Sequence, residues 1–321
     1  MTDIVDVHTH FVPDRLPEID DESWPRPLEE GGKRFLVLPG GRRRVVPRTA
    51  HDMRARLADM DRIGVRRHIM SPMPALLADV LTEPGSAVAA ARAVNDALAT
   101  SVAVDPERLG GLGTLPVTSV EAMKSAVEHG MSELGLLGFE LSGEGVLALI
   151  HSGTWSDACA LLRGAGAVVL VHPHDDSLGR RRDLTGRLAI GGVAMLAETA
   201  FVALEIMRAG VTELPPLVLA HGGGAVPYAL DRIDALWRLT DAKAELDEPP
   251  SLVYRRTFAV DTAVQDPEGL RLAASKVDPG RVLFGSDYPF AIMVDPSVVP
   301  RAALDADDVF ERSARALGLG G

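Results

Sequence analysis

Cysteine is almost missing from this 321-residue sequence: Cys159 stands alone, so no internal disulfide can form. It lies in the helical stretch SDACALL without an activating neighbour, and reads as a small buried side chain, not a nucleophile. Aromatic residues supply only 4% of the chain, and neither arginine cluster, Arg42 to Arg44 or Arg180 to Arg182, has rings interleaved with it. A formal net charge of −12 repels phosphate backbones, so both clusters read as solvated loop charge and no nucleic-acid partner is expected. Long apolar runs are also scarce. Gly191 to Ile206 is broken by Glu198 and Glu205 and reads as too short for a bilayer, so no membrane partner is expected. The start, MTDIVDVHTH, shows no basic n-region or apolar h-region, and a cytoplasmic location follows as the expectation.

What is present is a repeating pattern. With 46% hydrophobic residues the chain can bury a large core. Eight short runs rich in Val, Ile and Leu recur: Ile4 to His10, His68 to Pro72, Leu109 to Pro116, Leu136 to Ser142, Val168 to His174, Leu217 to Gly222, Phe258 to Val264 and Val282 to Tyr288. Amphipathic stretches such as MRARLADMDRIG and SVEAMKSAVEHG lie between them, several ending on a glycine suited to a helix C′ position. Strand and helix alternating eight times predict an α/β fold, a (β/α)₈ TIM barrel, as one domain over residues 1–321. Residues 11–50, rich in Pro, Gly and charge, read as a long insertion after strand 1 that overhangs the catalytic face as a lid or substrate contact.

Chemistry concentrates at the strand ends. His8 and His10 alternate by two in DVHTHF, so both imidazoles face one side, here the barrel interior. His172 ends AVVLVHP, His221 ends LVLAHGGG and Asp287 ends VLFGSDYP, all at the C-terminal ends where barrel active sites assemble. Zn²⁺ prefers imidazole nitrogen and carboxylate oxygen and leaves a position open in catalytic sites. His8, His10, His172 and Asp287 satisfy that as metal ligands, leaving His221 for acid and base work on water whose pKa a bound cation lowers. Glu140, in GFELSG, reads as outward or structural, with an approach to the site from strand 4 as the alternative. His51, His68, His129 and His151 lack strand-end placement; His151 and Trp155 are weak candidates for the pocket edge.

An H-x-H on strand 1, single His on strands 5 and 6 and an Asp on strand 8 resemble the amidohydrolase superfamily. DVHTHFVP, RLADMDRIGV, LVHPHD, VAMLAET, HGGG followed by RIDALWR, and FGSDYPF are similar to the aminocarboxymuconate-semialdehyde decarboxylase branch, from Asp6 to about Phe290. Many superfamily members bridge two metals with a carboxylated lysine at strand 4, but this chain has only Lys33, Lys124, Lys243 and Lys276, none at that strand end. The resemblance therefore implies one divalent metal ion, Zn²⁺ with Mn²⁺ as the alternative, and no organic cofactor. It further implies His221 and Asp287 as the catalytic proton carriers. Two arginines would hold a carboxylate of a small-molecule substrate: Arg44, or Arg48 as second choice, after strand 1, and Arg232 reaching in from the neighbour in a homodimer. The chain departs from the branch at Gly191 and Gly192, where a bulky aromatic is expected, and at His174, where tryptophan is frequent. Both positions belong to the expected substrate pocket, so the acid consumed is expected to differ from an aminocarboxymuconate. The function implied is non-oxidative decarboxylation of a small unsaturated or aromatic acid, with metal-bound water and His221 handling the proton. A hydrolase or hydratase acting on a lactone, amide or alkene is the alternative, and a binding protein without turnover is the reading from outside enzymology.

Overall fold

Residues 4–174, 186–295, 299–304 and 315 are described by a computed structural model; the Arg180 to Arg182 cluster lies outside them. The chain opens with β1 (Val5–Phe11), followed by β2 (Arg26–Glu30), β3 (Lys33–Val37) and β4 (Arg43–Val46), which pair only with one another as an antiparallel sheet. After them come β5 (Arg67–Pro72), β6 (Leu109–Gly113), β7 (Gly138–Ser142), β8 (Val168–His172), β9 (Leu217–Leu219), β10 (Phe258–Asp261) and β11 (Val282–Leu283). These seven extend the sheet begun by β1 in sequence order, every pair parallel. The ring closes where Thr9 bridges Tyr288 and the Val7 N–H donates to the Phe284 carbonyl at 2.8 Å. Closure satisfies the backbone groups that an edge would leave open, and the result is a (β/α)₈ barrel. Each of the eight runs read from the sequence holds one barrel strand.

Helices follow the strands, and the glycine stop read from the sequence holds at Gly64 but not at Gly130, which lies inside the π-helical turn His129–Glu133. Helix α1 (Met53–Ile63) starts at Asp52, whose side chain accepts from the Ala55 N–H, and stops at Gly64 with φ 75°. Such a cap contributes about 1 kcal/mol, and only glycine takes that φ without a Cβ clash. The others used below are α4 (Gly143–His151), α6 (Met195–Arg208) and α7 (Val226–Leu239), numbered among α2 (Pro84–Val102), α3 (Val120–Glu128) and α5 (Trp155–Gly164).

Alternation along the strands sorts side chains into two cores. Val168, Leu170, Val218, Ala259 and Leu283 fill the barrel interior, whereas Val169, Val171, Leu217, Phe258 and Val260 pack outward against helices. His172 continues the parity of Val168 and Leu170, and Asp261 that of Ala259, so both point inward. In β1 the register slips between Asp6 and Thr9. That irregularity lets the consecutive residues Val7 and His8 both serve the interior, re-aiming the strand in the way a bulge does.

Three sequence expectations change here. Residues 12–50 are not a plain loop: their three strands add a small sheet, and Trp24, Leu36, Leu38 and Val46 bury against Met73, Leu76 and Val94. Trp155 is 3% exposed in the outer core with Leu115 and Phe139, and does not edge a pocket, while His151 is exposed. Ile190–Arg208, with a mean hydropathy of 1.7, is long and apolar enough to cross a membrane by length and composition, contrary to the expectation of a segment too short. Within the barrel Val202, Ala203, Ile206 and Met207 from this helix pack into the outer core. Cys159 is fully buried there, and desolvation pushes its thiol up to about 12, which matches an inert core residue.

Candidate metal centre and active site

His8, His10, His172 and Asp287 each bring one ligand atom into a group whose members lie within 4.8 Å of one another, all four residues buried. Their ring contacts are uniform: 5.0 Å between the centroids of His8 and His10, 4.9 Å for His8 and His172, and 5.0 Å for His10 and His172. Asp287 Oδ1 stands 3.1 Å from His10 Nε2 and 3.6 Å from His8 Nε2. Because β11 is next to β1 in the closed ring, the Asp287 N–H donates to the His8 carbonyl at 3.0 Å, tying the carboxylate to the histidine strand.

The outward partners of the rings decide which nitrogen faces in. His8 Nδ1 meets Asp261 Oδ2 at 2.6 Å, His172 Nδ1 meets the Pro173 carbonyl at 2.8 Å, and His10 Nδ1 meets the Pro72 carbonyl at 3.4 Å. Each of these partners is an acceptor, so each Nδ1 carries a proton and each Nε2 is the atom turned to the shared centre, where it ligates once it is unprotonated. His172 Nε2 is buried with no protein partner, and the Nε2 atoms of His8 and His10 are 3.1 Å apart. Three convergent Nε2 atoms and a carboxylate fit a divalent cation, with Zn²⁺ well suited to such a donor set.

Electrostatics support the same division of roles. Burial holds His10 below its ordinary pKa and His172 well below, which keeps both rings neutral and able to ligate. Burial also opposes charge on His8, but the charge and hydrogen bond of Asp261, with Asp287 and Glu140, outweigh it and lift that ring to about 9. Without a cation His8 therefore also holds a proton on Nε2 at pH 7, and a metal must displace that proton to ligate there. Asp287 is held low because the surrounding histidines overcome the desolvation that would raise it. His221 sits beside the four, its ring 5.2 Å from His8 and 5.0 Å from His172, with Nε2 3.9 Å from Asp287 Oδ2. Desolvation lowers its pKa, so it is a neutral base at pH 7. His221 and Asp287 have φ of 56° and 64°, the only non-glycine residues with positive φ among those described. Backbone strain of that kind, about 1–3 kcal/mol per residue, concentrates at functional sites.

The remaining expected residues divide. Arg44 is half-buried, its guanidinium carbon 5.7 Å from the Phe290 ring centroid, and that ring is 5.1 Å from His10, so Arg44 approaches the centre across one aromatic ring. Arg48 is exposed and paired with Asp52 at 2.8 Å. His174 is buried just beyond β8, its N–H donating to Glu198 Oε1 at 3.0 Å. Arg232 lies exposed on α7, and Gly191 and Gly192 lie exposed in the π-helical turn before α6. Glu140 is not outward: it is fully buried, Oε1 is 3.8 Å from His172 Nδ1, and desolvation raises it to about 8.

Sequence reasoning missed Asp261, although the signal was there: it is a carboxylate at a strand end, in TFAVDTAV, like the residues that were read. It also missed Arg56. That fully buried guanidinium joins α1 to β1 by donating to Thr9 Oγ1 at 3.2 Å, to the Thr49 carbonyl at 3.0 Å and to the His10 carbonyl.

A family model described as amidohydrolase matches residues 5–312. The 2-amino-3-carboxymuconate-6-semialdehyde decarboxylase of Dictyostelium discoideum is 25% identical, the match covering 99% of this chain and 89% of that protein. Among solved structures, 5-carboxyvanillate decarboxylase from Sphingomonas paucimobilis superposes with a TM-score of 0.73 at 26% identity, covering 84% of each chain. The dihydroxybenzoic acid decarboxylase of Polaromonas sp. JS666, solved with bound manganese and the inhibitor 2-nitroresorcinol, has a TM-score of 0.75 at 21% identity, covering 100% and 98%.

Proposed function

Since the chain belongs to the amidohydrolase family, we propose that it is a metal-dependent decarboxylase of a small unsaturated or aromatic carboxylic acid that works without an organic cofactor. The observation that carries this reading is the convergence of three imidazole Nε2 atoms and one carboxylate on a shared centre, with a fourth, neutral imidazole beside them. One divalent cation, Zn²⁺ or Mn²⁺, supplies Lewis acidity there when bound. His221 takes and returns the proton at Nε2, and Asp287 Oδ2, 3.9 Å away, relays it. Arg44 grips the substrate carboxylate with its planar fork above Phe290, while Arg48, engaged by Asp52, stays the second choice. His174 borders the same pocket, and residues 11–50, which bring in Arg44, close over it as a lid.

Arg232 completes the pocket of a second copy in a homodimer. It shares the outer face of α7 with Tyr228, Leu236 and Leu239, which are 86%, 49% and 82% exposed, an apolar stripe of the kind that interfaces cover. The test of the activity is CO₂ release from a panel of hydroxybenzoic and unsaturated dicarboxylic acids by metal-loaded protein. Stoichiometric CO₂ and the decarboxylated product support the reading. Turnover of lactones or amides with no CO₂ from any acid overturns it in favour of hydrolysis.

A further inference from the structure

Asp261 is fully buried at the C-terminal end of β10 and its two oxygens serve different parts of the site. Oδ2 accepts from His8 Nδ1 at 2.6 Å. Oδ1 accepts from the Gly222 N–H at 2.9 Å and the Ala263 N–H at 3.1 Å. Gly222 follows His221, whose left-handed φ of 56° needs support from outside the loop. The contact with His8 crosses a strand, because β11 and its extension lie between β10 and β1 in the closed ring. Gly285 occupies the crossing, and a Cβ there would lie 2.8 Å from both Asp261 Cβ and His8 Cβ. The approach therefore depends on a position without a side chain.

We propose that Asp261 is a positioning residue that couples the metal centre to the proton carrier: it sets the ring nitrogen that His8 offers the cation and pins the loop that presents His221. The inference concerns the ligand geometry and holds whichever substrate the centre turns over. The argument rests on hydrogen-bond polarity. A carboxylate accepts on both sides, so His8 must donate from Nδ1 and keep the Nε2 lone pair for the centre. In Asp261→Asn the two backbone N–H groups still require an oxygen at Oδ1, which turns the amide NH₂ toward His8. Its Nδ1 must then accept, and the proton moves to Nε2, where it blocks ligation. Asp261→Ala removes both functions.

The test uses ¹⁵N-histidine-labelled, metal-free protein with NMR of the ring nitrogens, amide hydrogen exchange at Gly222, and competitive titration with Zn²⁺ and Mn²⁺. The wild-type His8 is expected to carry its proton on Nδ1 in its neutral form. Asp261→Asn should move it to Nε2, weaken metal binding by about 10 to 100-fold, and leave Gly222 protected. Asp261→Ala should lose metal affinity and also speed exchange at Gly222. Metal affinity within twofold of wild type and an unchanged His8 tautomer in a folded Asp261→Asn protein overturn the ligand half. Unchanged exchange in Asp261→Ala overturns the loop half, and if that variant does not fold, Asp261→Ser, too short to reach the Gly222 N–H, replaces it with the same expected and overturning results. None of these readouts requires turnover, so a failed decarboxylase assay leaves them intact.

Discussion

Asp79 offers a measurement in which burial sets the sign. It lies in the turn after β5, 5% exposed, and accepts the Ser142 N–H at Oδ2 while Oδ1 is buried without a partner. Desolvation raises its carboxyl from 3.8 to about 7, the hydrogen bonds from Ser142 opposing and the charge of Glu144 adding. A carboxyl with a raised folded pKa contributes stability that is complete below about pH 4 and is lost as pH rises through 7. The shift is about 3 units, and at about 1.4 kcal/mol per unit the ionised barrel is about 4 kcal/mol less stable than the protonated one. Asp79→Asn keeps the acceptor for Ser142 and cannot ionise. The variant should match wild type near pH 4 and gain on it through pH 5, 6 and 7, with the gap levelling near pH 8. Urea unfolding of both proteins in excess chelator, at half-unit pH steps, measures the gap without linkage to the metal. A gap that stays constant between pH 5 and 8 refutes the reasoning, and a gap of reversed slope means that Asp79 is stabilised as an anion.

Metal analysis of purified protein should find one divalent ion per chain, and two tightly bound ions would add Glu140 to the ligands. His221→Asn should retain that ion and lose about 10² to 10⁴-fold in kcat; a folded variant that purifies without metal identifies His221 as a ligand. Arg44→Met should raise KM for the acid by about 10 to 100-fold, the value of a charge-assisted bidentate contact, whereas Arg48→Met should leave KM unchanged. Steady-state kinetics distinguish the two, and the reverse order reassigns the clamp. Mixing the inactive variants Arg232→Ala and His221→Asn should restore partial activity after subunit exchange, and no recovery despite demonstrated exchange returns Arg232 to the solvent-facing surface.

How far the sequence could be read follows from which interactions are local. Strand positions were legible because each barrel strand is a short apolar run with its own punctuation. His8, His10, His172 and Asp287 were legible because strand parity and strand-end position are one-dimensional properties. Their companions needed the third dimension. The slip between Asp6 and Thr9 leaves no mark in DVHTHF, yet it brings Val7 inward beside His8. For Glu140 the sequence favours an outward or structural role over an approach to the site, because GFELSG alternates without saying which face is the interior; the buried outer positions Phe139 and Leu141 decide it. Arg56 looks like one more charge in an amphipathic helix, and only the fold brings the Thr9, Thr49 and His10 acceptors around it. The sheet in residues 26–46 escaped notice because β2, RPLEE, has a single aliphatic side chain, Leu28, and is mostly exposed.

The two left-handed residues also govern how the protein can change over generations. At positions 221 and 287 a replacement meets a conformational filter before any chemical one: glycine, asparagine and aspartate enter that region readily, and Val, Ile and Thr are the worst suited. A saturation library at either position is thus sorted first by folding yield, and a silent clone says little about proton transfer until its backbone has been shown to fit. New activities are more accessible through Arg44, Phe290 and His174, whose side chains can be exchanged without asking the backbone for a rare conformation.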